Sequence, residues 1–188
     1  MKKIFLSADE LMLDAFQLAQ QIYKSDFYPS LIIGILRGGA PISIAIHEYF
    51  SYRGFQSKYR SIYASSYTDI GVQNQTVTVE GLDSIIETIK PNDKVLIIDD
   101  VFDTGKSAEA VLAKINTGIK RKFPENEKLD LRVATVWFKS VNNLTDLEPD
   151  YFLHTTDKWL VFPHELVGLS ESEIAEQKPG VSDTIASD

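Results

Sequence analysis

Three acidic residues follow a short apolar segment and stand directly before a turn suited to phosphate. They are Asp99, Asp100 and Asp103, within the segment 95–107, which reads VLIIDDVFDTGKS. The last four residues, 104–107, would bring backbone N–H groups, two hydroxyls and an ammonium to the start of a helix, an arrangement that binds phosphate. The acids cannot bind that phosphate and suit ribose hydroxyls or a divalent cation instead. The segment therefore predicts a sugar-phosphate site, with carboxylates on the sugar and amides on the phosphate.

Two other interpretations of this segment compete with that prediction. Asp is favoured at helix N-termini, so capping would account for Asp99 or Asp103 taken alone. Capping does not account for three acids and a TGKS turn behind an apolar strand. A nucleoside-triphosphatase loop of the Walker A form would need glycine at position 100, where this chain has Asp100, so that class is excluded.

The composition limits which partners such a site can serve. Among 188 residues, 19 are Lys or Arg and 27 are Asp or Glu, which gives a formal net charge of −8. Binding of nucleic acid or an anionic membrane through bulk charge needs a basic face, so neither partner is predicted. The lack of cysteine excludes disulfides, thiolate catalysis and cysteine-ligated metal sites. Neither a signal peptide nor a membrane-spanning helix is predicted, which favours a cytoplasmic protein.

The elements that must position the acids alternate between strands and helices. Continuous apolar segments predict buried strands at 31–36, 94–99 and 131–138. Weaker patterns predict strands at 58–65, 77–80, 151–153 and 159–162. Amphipathic spacing predicts helices at 8–24, 41–52, 82–89 and 107–119. This alternation indicates α/β architecture: an open twisted, mainly parallel sheet flanked by helices.

In such a sheet, ligands bind beyond the carboxyl ends of the strands. Chemistry is therefore expected just after Leu36, Ile98 and Phe138, and near Trp159. The acids of the first motif lie where this rule expects them.

Two polar segments are predicted to lack regular structure. Residues 67–76 contain a glycine and no periodicity, which indicates a mobile loop. Residues 169–188 lack aromatic residues and are rich in Ser, Glu and Asp, which predicts a poorly ordered acidic tail.

The segment 95–107 resembles the phosphoribosyl-pyrophosphate (PRPP) signature of type I phosphoribosyltransferases: an apolar strand, two acids, two variable residues, then DTGKS. The segment 34–39, GILRGG, resembles the pyrophosphate-binding loop of that family. The family often holds the peptide before the basic residue of this loop in cis, so the resemblance predicts a cis Leu36–Arg37 bond. Ser66-Tyr67 is similar to the pair that opens the active-site closing loop of the hypoxanthine–guanine enzymes.

Two further segments resemble the purine-specific branch of this family. Lys139 ends a strand where that branch has a lysine that donates to the 6-oxo group of the base. The segment 158–165, KWLVFPHE, resembles its base-binding end. By this resemblance Trp159 stacks on the purine, Leu160 offers backbone groups to the base edge, and Glu165 contacts metal-bound water. Taken without the resemblance, Trp159 could equally be a core residue and Lys139 a solvated one.

The resemblance implies a reaction and a set of roles. The reaction would transfer 5-phosphoribose from PRPP to a 6-oxopurine (hypoxanthine, guanine or xanthine) with Mg²⁺ and release pyrophosphate. Asp103 would be the catalytic acid/base at the imidazole side of the purine, and Asp99, Asp100 and Glu165 would serve the metal. The PRPP-binding residues implied are Arg37, Gly38, Gly39, Asp99, Asp100, Asp103, Thr104, Gly105, Lys106 and Ser107.

The resemblance also implies an organisation for the chain and leaves alternatives open. It predicts one domain over 1–168, with a small hood formed by about 1–10 and 150–168, and a homodimer or homotetramer. The acid pair is Asp-Asp where vertebrate-type enzymes have Glu-Asp, and His164 stands where some relatives have an aromatic residue, so the preferred base is left open. A PRPP-binding regulator without turnover, or a phosphoribosyltransferase for another base, are the alternatives.

Overall fold

A six-stranded sheet carries most of the fold in the computed structural model of the chain, which describes residues 3–67, 76–125 and 129–185. The elements in chain order are β1 (Lys3–Phe5), α1 (Ala8–Lys24), β2 (Leu31–Leu36), α2 (Gly39–Tyr52), β3 (Lys58–Tyr67), β4 (Thr76–Glu80), α3 (Leu82–Ile86), β5 (Lys94–Phe102), α4 (Lys106–Lys122), β6 (Asp130–Phe138), a 3-10 turn (Ser140–Asn142), β7 (Tyr151–Thr155), β8 (Trp159–Val161), α5 (Glu171–Gln177) and α6 (Pro179–Ile185).

The large sheet has the strand order β4-β3-β2-β5-β6-β7. Every neighbouring pair is parallel except β3 with β4. The predicted α/β fold class, with a mainly parallel sheet flanked by helices, is confirmed. The two central strands β2 and β5 correspond to two of the three continuous apolar segments of the sequence, as expected for strands covered on both faces.

The helices follow their apolar spacing onto this sheet. In α4, for example, Ala108, Val111, Ile115 and Ile119 recur every three or four residues and are all buried. The core joins that face of α4 to Ile97 and its neighbours in the sheet. Both α2 and α4 begin directly after the carboxyl end of a strand, so the turns before them lie at one edge of the sheet.

Strand β5 is longer than the sequence predicted. It continues past Asp99 to Phe102, because Val101 and Phe102 pair with Trp137 and Phe138 of the neighbouring β6. Asp99 and Asp100 are therefore residues of the strand, and Asp103 begins the turn after it.

The described chain divides into two compact units, Leu11–Asp157 and a smaller one that joins Met1–Glu10 to Lys158–Asp188. In the smaller unit β1 pairs in parallel with β8, with Ile4 opposite Leu160. The hood was predicted to include residues from 150, but β7 is a strand of the large sheet, paired with β6. The single domain predicted over 1–168 stays a prediction.

The acidic C-terminal segment also differs from the predicted disordered tail. Helices α5 and α6 occupy most of it, and Ser170 with Glu173 forms a capping box at the start of α5. Lys3 Nζ lies 2.7 Å from Glu173 Oε1. The prediction of disorder rested on composition alone and did not use a local helix signal. The S-x-x-E pattern that begins a helix is present at 170–173.

None of the helices in the described ranges is long and apolar enough to cross a membrane.

Candidate functional site

The turn after β2 lies against the acidic end of β5. The Leu36–Arg37 peptide is cis, as the resemblance predicted. Arg37 is exposed, and the two glycines that follow it are in close contact with the neighbouring strand. A Cβ at Gly38 would overlap the Asp100 carboxylate, and a Cβ at Gly39 would lie 2.6 Å from the carbonyl oxygen of Ile98. Glycine at both positions therefore allows the turn after β2 to lie directly against the end of β5.

The two acids within β5 form a short hydrogen-bonded series. The Asp100 N–H donates to Asp99 Oδ1 at 3.0 Å, and the Val101 N–H donates to Asp100 Oδ1 at 2.8 Å. Burial, and next the charge of Asp100, raise the pKa of Asp99 well above its usual range. Burial and the neighbouring charge therefore disfavour the ionised form of Asp99, and cations or hydroxyl donors would stabilise that form.

The phosphate-type turn leads from β5 into α4. Gly105 has a φ of +78° and is the residue before the first turn of the helix, with no side-chain cap. A Cβ there would also lie 2.7 Å from Asn143 Oδ1, so glycine is required by both conformation and space. The first N–H groups of α4 have no partner within the helix, which leaves them available to an anion.

A cavity at the end of β5 is lined by residues that the sequence predicted for the site. These are Asp99, Asp103, Thr104, Gly105 and Ser107, together with apolar residues of β2 and β6. Residues predicted for the sugar and residues predicted for the phosphate therefore line one cavity, and their binding roles stay predictions. Lys106 is half-buried at the start of α4.

Lys139 follows β6 directly and meets the turn of the neighbouring strand. Its N–H donates to the carbonyl oxygen of Phe102 at 2.9 Å. Its ammonium is buried, and Nζ lies 3.0 Å from Asp103 Oδ2. The predicted acid/base and the predicted base-binding cation, 36 residues apart in the chain, are thus in contact.

The residues that follow Lys139 also contact the turn after β5, and no sequence motif predicted this. Asn142 Nδ2 donates to Asp103 Oδ1 at 2.8 Å, and the Leu144 N–H donates to the carbonyl oxygen of Thr104 at 3.0 Å. Asn143 and Thr145 lie close to Gly105. The only signal in the sequence is a polar NNLT segment directly after a buried strand, at the edge where ligands bind.

Ser66 and Tyr67 are the last two residues of β3, opposite Val77 and Thr76 of β4. Tyr67 was predicted to open a loop, but the antiparallel pairing with Thr76 continues the strand to that residue. The rest of the predicted closing loop, 68–75, lies outside the described residues.

The predicted base-binding residues lie in the smaller unit. Trp159 is 48% exposed in β8, and Lys3 Nζ is 5.7 Å from the centroid of its ring. Leu160 is buried and pairs with Ile4. Because its ring is half exposed, Trp159 is not a core residue of this unit, which was the other interpretation of its sequence.

Glu165 is engaged within its own turn. Its Oε2 accepts the Phe162 N–H at 2.9 Å, and Lys178 Nζ donates to the carbonyl oxygens of Phe162 and Pro163 at 2.7 and 2.8 Å. Burial lowers the pKa of Lys178, and the nearby Glu165 partly offsets this. The two side chains hold the turn after β8, and the metal contact of Glu165 stays a prediction.

Across the described ranges, no group of three or more His, Cys, Asp or Glu side chains could hold a metal ion by itself. The adjacent carboxylates of Asp99 and Asp100 still fit Mg²⁺, because they are oxygen donors and a cation would favour the ionised form of Asp99. A metal at this site would take its remaining ligands from a bound substrate.

Comparisons with known proteins agree with this geometry. The family described as phosphoribosyl transferase domain matches residues 4–167. No curated protein matches the chain. Among solved structures, the purine phosphoribosyltransferase of Pyrococcus horikoshii Ot3 is similar with 24% identity and a TM-score of 0.67, over 90% of this chain and 98% of that one.

Two other solved structures are similar over nearly the whole chain. The xanthine-guanine-hypoxanthine phosphoribosyltransferase of Helicobacter pylori has 19% identity and a TM-score of 0.65, with all of both chains covered. A hypothetical protein from Neisseria gonorrhoeae with bound ppGpp has 19% identity and a TM-score of 0.72, over 96% of this chain and 97% of that one. At these identities the three likenesses show a shared fold.

Proposed function

Since the chain belongs to the phosphoribosyl transferase domain family, we propose that it transfers 5-phosphoribose from PRPP to a 6-oxopurine. The C1′–oxygen bond to pyrophosphate breaks, a bond from C1′ to a ring nitrogen of the purine forms, and that base loses a proton. The products are a nucleoside 5′-monophosphate and pyrophosphate. Hypoxanthine, guanine and xanthine are the substrates that the proposal includes.

The 5-phosphate binds at the turn before α4. Backbone N–H groups of Thr104 to Ser107, the two hydroxyls and the Lys106 ammonium hold it, and the helix N-terminus favours its charge. The left-handed Gly105 supports this role, because it lets the backbone turn back towards the cavity. Fixing the phosphate fixes the ribose that is joined to it.

The ribose hydroxyls bind Asp99 and Asp100. A sugar that loses its leaving group becomes cationic at the ring, and two adjacent carboxylates stabilise that charge. The raised pKa of Asp99 supports this proposal, since a buried carboxylate near a second one gains most from a cationic neighbour. Asp99 and Asp100 would hold Mg²⁺ together with PRPP, and the ion would supply charge neutralisation to the leaving pyrophosphate.

The departing pyrophosphate lies at the turn after β2. The Arg37 guanidinium and the N–H groups around Gly38 and Gly39 stabilise its charge. The close approach of Gly38 to Asp100 supports this assignment, because it brings the pyrophosphate groups beside the carboxylates that hold the ribose.

For the purine, we propose the roles that the family resemblance implies: Lys139 donates to the 6-oxo group, Trp159 stacks on the ring, and Leu160 offers backbone groups. Asp103 exchanges the proton at the imidazole side of the base. By the family resemblance, Ser66 and Tyr67 would help to exclude water from the cationic transition state.

The observation that carries the purine assignment is the buried Lys139 beside Asp103, with Nζ and Oδ2 3.0 Å apart. It supports a base that presents an oxo acceptor next to an imidazole nitrogen. Pyrophosphate release from PRPP should be measured with hypoxanthine, guanine, xanthine, adenine, uracil and orotate in parallel. Release with one or more 6-oxopurines only is expected, and release with adenine or a pyrimidine alone would contradict the assignment.

A second candidate is a regulator that binds a ribose phosphate without turnover. The ppGpp bound by the similar Neisseria gonorrhoeae protein favours it, since that ligand also carries phosphates on a ribose. This candidate predicts no pyrophosphate release with any base, and calorimetric binding of PRPP or ppGpp. The presence of Lys139 and Trp159, which would serve a base, favours the enzyme.

The proposal extends to the whole protein: a homodimer or homotetramer in the cytoplasm, with neither nucleic acid nor a membrane as partner. Light scattering of the purified protein measures the assembly directly. A monomer at micromolar concentration would contradict that part of the proposal.

A further inference from the structure

We propose that Asn142 is a positioning residue, which holds the Asp103 carboxylate in the orientation that proton exchange with the purine needs. The inference rests on the proposed purine transfer. Asn142 matches no part of the PRPP signature or of the base-binding segment. Its proposed role rests on the contact of its side chain with Asp103.

Both oxygens of Asp103 accept from one short segment of chain. Oδ2 lies 3.0 Å from Lys139 Nζ, and Oδ1 accepts from Asn142 Nδ2 at 2.8 Å. The Asn142 N–H donates to the carbonyl oxygen of Lys139 at 3.0 Å, closing the 3-10 turn Ser140–Asn142. This turn brings the amide back to the same carboxylate that Lys139 contacts, so the plane of that carboxylate is fixed at two points.

The segment that carries Asn142 is itself anchored to the phosphate-type turn. The Leu144 N–H donates to the carbonyl oxygen of Thr104 at 3.0 Å. Asn143 Oδ1 accepts from the Thr145 N–H at 3.0 Å, and Asn143 Nδ2 donates to the carbonyl oxygen of Leu147 at 2.7 Å. Asn142 therefore extends from a hydrogen-bonded turn and not from a free loop.

The two residues that donate to Asp103 differ in what else they must bind when a purine is present. The Lys139 ammonium has three N–H donors, and in the proposed reaction it must also donate to the 6-oxo group. The Asn142 amide has no such second task. We infer that Asn142 keeps Asp103 aligned while Lys139 is shared, and that without it the carboxylate turns towards the lysine with both oxygens.

The test compares Asn142→Ala with Asn116→Ala, an exposed asparagine on α4, as the matched control. Single-turnover transfer to hypoxanthine or guanine is measured, with the PRPP dissociation constant from calorimetry. Loss of a hydrogen bond to a charged group predicts about a tenfold slower chemical step for Asn142→Ala, with PRPP affinity within about twofold of wild type. Asn116→Ala should match wild type in both measurements.

A second variant covers the case in which Asn142→Ala fails to fold. Asn142→Asp has the same shape but replaces the donor with a like charge beside Asp103, so it should slow the step at least as much. A merely structural role predicts a lower melting temperature and weaker PRPP binding without a selective loss of rate.

The outcomes separate the inference from the function on which it rests. If wild type transfers no purine, both fail. If wild type transfers a purine and both Asn142 variants keep the wild-type rate, the positioning role alone is overturned.

Discussion

Asp103 begins the turn after β5, and its carboxylate is contacted by residues that follow the neighbouring strand β6. Its own strand supplies the carboxylate, and the segment after β6 supplies both donors, Lys139 and Asn142. A carboxylate held in this way is oriented before a substrate arrives, which suits proton exchange better than binding of a phosphate.

The first prediction separates these two tasks. Asp103→Asn should lower kcat for purine transfer by about 100-fold or more, because the amide cannot exchange the proton. The Kd for PRPP should stay within about threefold of wild type, since most of the proposed phosphate and ribose contacts are made by other residues. Steady-state kinetics and calorimetry measure the two quantities.

Asp100→Ala serves as the contrasting variant for that prediction, because it should weaken PRPP binding itself. If wild type and Asp103→Asn transfer purine at the same rate, Asp103 is not the acid/base of the reaction.

The second prediction concerns Asp99, whose pKa is raised by burial and by Asp100. An acid with a raised folded-state pKa costs stability when it is ionised, so Asp99→Asn should have a higher Tm than wild type at pH 7. The difference should shrink as the pH falls through the folded-state pKa of Asp99, and vanish below about 3.9, the unfolded value.

Thermal unfolding of the ligand-free proteins between pH 3 and pH 7 measures this difference. The same variant should bind PRPP with Mg²⁺ more weakly, because the charge that destabilises the free protein is the one proposed to hold the ligand. A Tm below that of wild type at pH 7 would refute the electrostatic account of Asp99.

At the scale of elements, the site depends on the contact between two turns at one edge of the sheet. The turn before α2 lies directly against β5, and Gly38 and Gly39 leave no room for a side chain there. The pyrophosphate and ribose parts of the proposed site are therefore joined by backbone contact and not by long side chains.

The third prediction tests that contact. A Cβ at Gly39 would lie 2.6 Å from the Ile98 carbonyl oxygen, so Gly39→Ala must move α2 away from β5. We expect a loss of about 1–3 kcal/mol in the free energy of unfolding, as for other overpacked sites, together with weaker PRPP binding. Urea denaturation measures the stability.

Gly180→Ala is the matched control, because nothing lies within 4 Å of the added Cβ on α6. It should leave stability unchanged or slightly raised. Equal behaviour of the two variants would show that the contact with Ile98 relaxes at no cost.

Much of this element-scale arrangement could be predicted from the sequence. The apolar segments of β2, β5 and β6 and the spacing of α4 are local signals, and the end of a parallel strand is where ligands bind. The extension of β5 to Phe102 could not be predicted, because it depends on pairing with Phe138 of another strand. The contact of Asn142 with Asp103 joins residues 39 apart, and no local pattern indicates it.

At the scale of the whole molecule, the excess negative charge is unevenly distributed. Residues 169–188 hold five acids and one lysine, a net of −4 and thus half of the total. The described part of this segment, 169–185, is not a free tail within the smaller unit, since Glu173 pairs with Lys3 and Lys178 holds the turn at Phe162. The acidic segment therefore has a structural task beside the proposed base-binding strand.

The fourth prediction tests that task with Lys178→Met, which keeps the apolar stem and removes two hydrogen bonds. The turn after β8 should loosen, and KM for the purine should rise by about fivefold, which corresponds to about one hydrogen bond. The Kd for PRPP should not change. Initial-rate kinetics with varied purine measures the effect.

Lys120→Met, at an exposed lysine on α4, is the control and should leave KM unchanged. A rise in KM that is the same for both variants would assign the effect to net charge and not to the turn.

The parallel pairing of β1 with β8 also sets an order in time. Its two strands are separated by the whole of the large sheet in the sequence, so the pair cannot form until Val161 has been synthesised. Chains fold from the N-terminal side as they emerge from the ribosome, and a pairing between distant segments is the slowest to form. The residues proposed for the sugar phosphate, 99–107, are therefore synthesised well before Trp159, so in a nascent chain the proposed phosphate turn precedes the pairing that holds the proposed base-stacking ring.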